Sequence, residues 1–387
     1  MIASLLILFV FLIVLGSIEA YRHSYYLHKI PIRIHVNGAR GKSSVTRLIA
    51  SGLRESGKKI IAKTTGSSPR IINEKGEDIA IHRLRSASIG EQVRMINKFS
   101  KQNIDVMVME CMAVQPQYQW ISEQKMLKST IGVITNVRPD HLDEMGYKID
   151  DIAMSLSNTI PRDGTLVVHN DRFGQLFSKI AKKRNTKLKY SDQNVVNDSY
   201  MNKFQYFEHK DNVELALRVC KEVGVDEKVA LRGILKNNPD PGALVIWKIK
   251  IHSGVNHFIS AFAANDPEST LDIWKKLSSR FKKFKSCVFL NTRSDRQYRT
   301  HQLLNIISNN IIPDKLIIRG DNLDNIIKKY DLMEKNIEVI RFNDSVQPET
   351  IVDIIGGFEN HLILGIGNIV GWGELFVNEI KGFKIND

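Results

Sequence analysis

Residues 32–53 read IRIHVNGARGKSSVTRLIASGL, and the fold turns on them. Ile32, Ile34 and Val36 alternate with polar residues and make a short strand, which Gly38 and Gly41 break into a turn. Val45, Leu48, Ile49 and Leu53 then recur at helical spacing, so a helix starts near Lys42, and Gly57 offers its stop. A strand, a glycine turn and a helix N-terminus in that order make an anion cradle. The glycines let backbone N–H groups turn toward phosphate oxygens, and the helix end adds its positive pole. Lys42 reaches the β- and γ-phosphates, and Ser43 can hold magnesium. The loop of Gly38, Ala39, Arg40, Gly41, Lys42, Ser43 and Ser44 is therefore the candidate ATP site.

Upstream, residues 1–18 (MIASLLILFVFLIVLGSI) carry no charge and approach the length of a spanning helix; Glu19 closes the run. Tyr21, Tyr25 and Tyr26 suit a headgroup zone, and Arg22 and Lys29 bias the following chain to the cytoplasm. No Lys or Arg precedes the run and the small-residue cleavage pattern is poor, which disfavours a secretory signal. Residues 1–20 thus read as a single-pass anchor in the cell membrane and 21–29 as a juxtamembrane linker. The body is cytoplasmic on this reading, where ATP and magnesium are found.

Downstream, strand and helix patterns alternate, the mark of an α/β fold with a parallel sheet covered on both faces. Strands are expected at 32–37, 59–63, 106–110, 131–135 and 165–169, a loop or short hairpin at 191–212, and helices at 213–223 and 227–235. Pro239, Pro241 and Gly242 then mark a hinge. Further strands at 245–251, 258–262, 287–291, 315–318, 338–342 and 362–366 compose a smaller second α/β domain. The division expected is 30–238 for the ATP-binding domain and 239–387 for the second. The glycines at 365, 367, 371 and 373 lack dinucleotide-fingerprint spacing and read as a tight strand-to-helix turn.

With 387 residues, 43% of them hydrophobic, the chain can bury two cores. Its formal charge of +13 favours anionic partners. No recognisable nucleic-acid module accompanies the charge, so nucleic acid is not an expected partner. Three scattered cysteines, Cys111, Cys220 and Cys287, exclude a disulfide framework.

In the loop, the first glycine stands three residues before Gly41, and Ser44 follows Ser43. This spacing resembles the G-T-x-G-K-[ST]-[ST] loop of the Mur ligase family, whose members join a carboxylate to an amine using ATP. Two segments follow in the family's order. Val106 to Glu110 is similar to the strand whose terminal glutamate binds magnesium, and Thr135, Asn136, Asp140, His141, Leu142 and Asp143 are similar to its TN-x-x-x-DHLD segment. Residues 262–270, with Asn265, Asp266 and Pro267, resemble the DYAHNP segment that opens the family's C-terminal domain, and Asp211-Asn212 resembles the close of the central one. The resemblance implies a P-loop Mur-ligase-like central ATPase domain and a smaller Rossmann-like C-terminal domain after an N-terminal transmembrane helix.

The chain departs from the pattern in four places. The loop follows directly on the apolar run, leaving no room for the domain that holds a UDP-linked precursor. No lysine lies between Asp151 and Arg162, where many members carry a carbamylated lysine. The hinge reads Pro241-Gly242-Ala243 without the family's arginine, and Asn265 replaces the histidine of DYAHNP. Together with the wording at 63–66, 89–92, 110–114 and 365–369, these features resemble the branch of the family that makes poly-γ-glutamate.

That resemblance implies the roles. Lys42 takes the phosphates, with Gly38, Ala39, Arg40, Gly41, Ser44 and Asn136 around the nucleotide. Ser43, Glu110 and His141 take Mg2+. Asp266 is the candidate to free the attacking amine. Arg293 or Arg296 reaches ATP or the growing carboxylate, unless the loop merely pairs internally through Asp295; Arg70 and Arg83 are further candidate cations. Glutamate and its polymer are the implied substrates, and membrane subunits with several spans the implied partners, with a homo-oligomer left open. Two other readings stay open: a Mur-like ligase extending a folate or another γ-peptide, and a tethered P-loop kinase or export ATPase.

Overall fold

The computed structural model describes residues 2–66, 69–81, 88–191, 195–201, 203–204, 206, 208–240, 244–252, 254–262, 267–330, 332 and 334–385. The chain forms two units, residues 1–203 with 208–238, and residues 204–207 with 239–387.

In the first unit, β1 (Ile32–Asn37), β2 (Ile60–Thr64), β3 (Arg70–Ile72), β4 (Asp78–Ala80), β5 (Val106–Glu110), β6 (Ile131–Ile134), β7 (Thr165–Val168) and β8 (Lys187–Tyr190) form one sheet. Its order is β4-β3-β2-β5-β1-β6-β7-β8. From β2 to β8 all neighbours are parallel, while β3 and β4 add antiparallel pairs at one edge. The strand order reverses at β1, which lies between β5 and β6, so a crevice opens there at the carboxyl ends of the strands. Register brings the ends level: Val36 pairs with Glu110, and Asn37 with Ile134. The helix after β1, α2 (Lys42–Arg54), buries Val45, Leu48, Ile49 and Leu53 as its spacing requires.

Three strands lie outside the sequence expectation. β3 and β4 are three residues each, joined by a polar turn in which Asn73 Oδ1 accepts from the N–H groups of Lys75 and Glu77. β8 is an edge strand reading KLKY, whose lysines hide its alternation. Within 191–212 the described residues hold a short helix, Asp198–Met201, and no strand, and the next helix, Lys210–Glu222, starts three residues earlier than its apolar pattern.

The helix α1 (Ile2–His28) corrects the expected linker at 21–29. No proline or glycine interrupts the chain between Gly16 and Pro31. The last turns then dock on the sheet. Leu27 and Ile30 are buried with Ile61, Ile96 and Phe99. The Arg33 guanidinium donates to the carbonyls of Leu27 (3.2 Å) and Ile30 (2.7 Å), closing the helix end. His23 Nε2 lies 2.6 Å from the Met126 carbonyl.

The second unit contains β9 (Val245–Ile251), β10 (Gly254–Ser260), β11 (Lys285–Asn291), β12 (Lys315–Arg319), β13 (Glu338–Phe342) and β14 (His361–Gly367), ordered β13-β12-β11-β14-β10-β9. Only β9, hairpinned to β10, is antiparallel. The hairpin draws β10 toward the turn at His252, so it covers 254–260 rather than 258–262. Phe289 and Phe376 rings, 4.3 Å apart, centre one apolar layer with Phe258, Phe262 and Ile363. Gly367, at φ 99°, has the Asn291 carbonyl where a Cβ would lie 2.2 Å away, which is why the strand ends in glycine before the helix Trp372–Lys381.

Beneath the first unit's crevice, β1 presents His35, fully buried, with Nδ1 2.7 Å from Glu123 Oε2. Burial alone would lower the imidazole; the Cys111 thiol and the Glu123 carboxylate outweigh it and raise it to about 10. Because this folded value exceeds the ordinary 6.5, the pair's stabilisation is fully present below about pH 6.5 and is lost as pH rises toward 10. Urea unfolding at pH 6, 8 and 10 is expected to show that alkaline decline. Glu123→Gln should make that decline shallower, with Cys111 retaining part of it, while costing about 3–5 kcal/mol at pH 6; an unchanged slope in the variant would refute Glu123's share of the assignment.

Candidate functional site

Four chain segments meet at the carboxyl ends of β1, β2, β5 and β6. Gly38 follows β1 at φ 139°, with the Thr135 hydroxyl 2.0 Å from where a Cβ would stand. Gly41, at φ 79°, is closed in by the Asn212 side chain in the same way. Both glycines are therefore demanded by conformation and by space. The loop is clamped from the β6 side. Ala39 N donates to the Asn136 carbonyl, Arg40 N to Asn136 Oδ1 (3.1 Å), and Asn136 Nδ2 and Thr135 Oγ1 both donate to the Arg40 carbonyl.

Lys42 Nζ donates to the carbonyls of Gly38 (2.8 Å) and Ala39 (3.0 Å), which holds the ammonium over the turn. Ser43 Oγ donates to Glu110 Oε2 (2.9 Å), and the same oxygen accepts from Thr65 N (2.6 Å). Glu110 is buried at the end of β5. Ser43 and Glu110 thus supply one hydroxyl and one carboxylate oxygen side by side. That donor set fits a small hard cation completed by phosphate oxygens and water. Ser44 contacts Glu208, a buried carboxyl that burial raises and that also accepts from Asn212 Nδ2 (2.8 Å).

His141 follows the β6 end on its own short turn. It opens a one-turn helix in the left-handed region (φ 44°), its imidazole is 55% exposed, and its nearest ionic neighbour is Asp140 at 4.0 Å. Asp140 in turn lies 3.7 Å from Arg40. Among the described residues, no three His, Cys, Asp or Glu side chains gather as a metal cage. Between residues 151 and 162, where no lysine stands, the chain contributes to a buried network of uncharged groups. Asn37 Nδ2 donates to Gln119 Oε1 and Thr159 Oγ1, and Gln119 Nε2 donates to Ser155 Oγ.

The sequence reading missed two features. Lys63, at the end of β2, is fully buried with Nζ 2.8 Å from Glu91 Oε1. Both residues stood in the quoted wording, but 28 residues apart nothing paired them. Beside Asn136 there is also a cleft of about 410 Å³, lined by Thr135–Arg138, His169, Asp171, Asp211 and Glu214. Only the resemblance at Asp211 hinted at it.

In the second unit, Arg293 makes a two-point pair with Asp295 (2.9 and 2.7 Å), the internal pairing left open from sequence. Arg296 lines a small cleft with Asn291, Thr292, Arg299 and Asn368. Arg319, unforeseen, is nearly buried: it donates to Asn291 Oδ1 (3.1 Å), pairs with Asp344 and lies over the Trp372 ring. Arg70 is in β3. Asp266, Asn265, Arg83 and Pro241–Ala243 lie outside the described residues.

Comparison with known proteins follows this geometry closely. Residues 36–235 match the Mur ligase middle domain, and residues 246–383 match the poly-gamma-glutamate synthase CapB C-terminal domain. The chain is 37% identical over 380 residues to the PGA synthase CapB of Bacillus subtilis (strain 168), covering 97% of this chain and 96% of that one. The chain belongs to the CapB branch of the Mur ligase family. The capsule biosynthesis protein CapB of Bacillus anthracis is 35% identical over 381 residues, covering 97% of this chain and 82% of its own. Folds agree more widely. A folylpolyglutamate synthase from Thermotoga maritima superposes with TM-score 0.65 at 16% identity, covering 95% of this chain and 94% of its own. MurF from Acinetobacter baumannii gives 0.65 at 14%, covering 95% and 80%. As a CapB-family Mur ligase the chain is an ATP-dependent amide ligase that uses ATP with a divalent cation.

A methyl at position 38 would require the Thr135 contact to open. Gly38→Ala in the full chain is expected to weaken nucleotide binding about tenfold to hundredfold, read by titration with a fluorescent ATP analogue. An unchanged affinity would mean that the loop is not the cradle.

Proposed function

We propose that this chain extends poly-γ-glutamate at the inner face of the cell membrane by activating the polymer's terminal carboxylate with ATP. The observation that carries the reading is similarity over 97% of this chain to two CapB proteins combined with a complete phosphate loop whose Ser43 touches Glu110.

The chemistry follows from the cost of making an amide from a free carboxylate at neutral pH. Transfer of the γ-phosphoryl group to that carboxylate yields an acyl phosphate and ADP. Attack by the neutral amine of an incoming glutamate then forms the amide, expels phosphate and gives up a proton. The protein contributes positioning and charge neutralisation. Backbone N–H groups of residues 41–43 and the Lys42 ammonium hold the phosphates. In doing so Lys42 exchanges the carbonyls of Gly38 and Ala39 for phosphate oxygens. Ser43 and Glu110 would hold Mg2+, which neutralises the phosphate charge when bound; His141 is proposed as a further ligand through the loop that carries it. Asn136 fixes the loop from the side. Asp266 is proposed to take the amine's proton, and Arg293 or Arg296 to meet a carboxylate of the polymer or ATP.

Residues 1–20 are proposed to anchor the chain, since α1 holds an apolar stretch long enough to cross a bilayer. One helix cannot carry an acidic polymer outward, so partners resembling the CapC/PgsC and CapA/PgsA subunits complete the machine. Nucleic acid has no place in it, and self-association is compatible with it.

Purified chain with its membrane partners is expected to release ADP and phosphate only when glutamate is supplied, and to incorporate labelled glutamate into a polymer. Lys42→Ala should lower both by about 100-fold or more. Full-rate hydrolysis without glutamate, or a labelled folate as product, would overturn the reading.

A further inference from the structure

In a parallel sheet every strand starts at the same end, and in the first unit that end is basic. Lys59 precedes β2, Lys101 precedes β5, Lys29 precedes β1, Lys128 precedes β6, Arg162 precedes β7 and Lys187 opens β8, all of them exposed. Lys182 and Lys183 add to the row from the end of the helix before β8. Strands lie about 4.8 Å apart, so the cations from β2 to β8 span about 24 Å. None of these eight is in an ion pair among the described residues. Exposed carboxylates at this end have local duties: Asp105 accepts from Lys59 N, Asp163 from Asn185 Nδ2, and Glu77, in the β3–β4 turn, from Asn73 Nδ2. Glu55, at the end of α2, already holds Arg232 and Lys236.

The apolar helix leaves from the middle of this row. α1 joins β1, its contact residues lie at 23–28, and its described side chains from 2 to 22 are exposed. The contacts fix it to that edge: His23 meets Met126, Leu27 enters the core, and Arg33 ties the Leu27 and Ile30 carbonyls to that of Lys128. Tyr21 and Tyr25 stand exposed on the helix between the apolar run and the basic row. Aromatic side chains at a boundary and lysines beyond it are the pattern of a cytoplasmic membrane interface.

We propose that the basic edge of the first unit docks on the anionic phospholipid headgroups of the leaflet that α1 enters. This rests on α1 being a membrane anchor. The catalytic unit then stands on the bilayer rather than swinging on a tether. The nucleotide loop, one six-residue strand away, sits about 20 Å above the headgroups and faces the cytosol.

The test uses the full chain in nanodiscs of phosphatidylcholine alone, or mixed with phosphatidylglycerol, with amide hydrogen exchange as the readout. Exchange in residues 101–105, 128–130 and 161–164 is expected to slow in the anionic discs and to recover in high salt. Lysines near an anionic surface each contribute about five-fold to its occupancy, about 25-fold for two. The double variants Lys101→Glu/Lys128→Glu and Lys182→Glu/Lys183→Glu should therefore lose the slowing, while glutamate-dependent ADP release in detergent is retained. Equal exchange in both lipids, slowing at residues 38–44 instead, or slowing only when other membrane subunits are present would overturn the proposal. Chain that fails to travel with the discs at all would instead remove the anchor itself, and the docking surface with it.

Discussion

One oxygen of Glu110 accepts hydrogen bonds from the Ser43 hydroxyl at the head of α2 and from the Thr65 amide just beyond β2. A buried carboxylate needs such donors, because leaving it unpaired in the sheet end would cost several kcal/mol. The bonds therefore hold three elements in one place: the start of the helix that follows the phosphate loop, the end of β5, and the chain leaving β2. Everything else in the crevice is built around that node. Asn136 and Thr135 pin the loop's backbone from β6, and Glu208 with Asn212 closes it from behind. The result is a cradle whose polar groups are oriented before any nucleotide arrives, which is what electrostatic catalysis of phosphoryl transfer requires.

Charged groups gather at both ends of the parallel sheet. At its carboxyl ends stand Glu110, Asp140, Asp171, Asp211 and Glu214, with glycine turns and helix N-termini for phosphates and a cation. At its amino ends stand exposed lysines with Asp105 and Asp163 among them, and there the apolar helix joins. The Lys63–Glu91 pair and the His35–Glu123 pair, both buried beneath the crevice, tie the covering helices to the sheet between these ends.

Much of this was legible in the chain. The strand, loop and helix of 32–53 appear where apolar spacing put them, and so do the central strands that follow, because buried parallel strands are short aliphatic runs bounded by glycine or polar turns. β3, β4 and β8 escaped because edge strands carry lysines, acids and turn residues in place of alternation. The continuation of α1 through residue 28 escaped for a different reason. Tyrosine, histidine and arginine after an apolar run look like an interfacial linker, and only the packing of Leu27 and the capping by Arg33 make that segment part of the folded body.

The residue types of the site and their order along the chain were determined by sequence alone, since a phosphate turn needs glycines at 38 and 41, a lysine at 42 and a hydroxyl at 43 whatever surrounds it. Tertiary structure decided which of the distant candidates reach that turn. Glu110 does, through register with β1; His141 is exposed on a left-handed turn beside Asp140; Lys63 and Glu91 find each other across 28 residues. Local conformation is set by neighbours in the chain and can be read from them. A contact between strand ends depends on sheet order and register, which arise only when the whole hydrophobic core assembles.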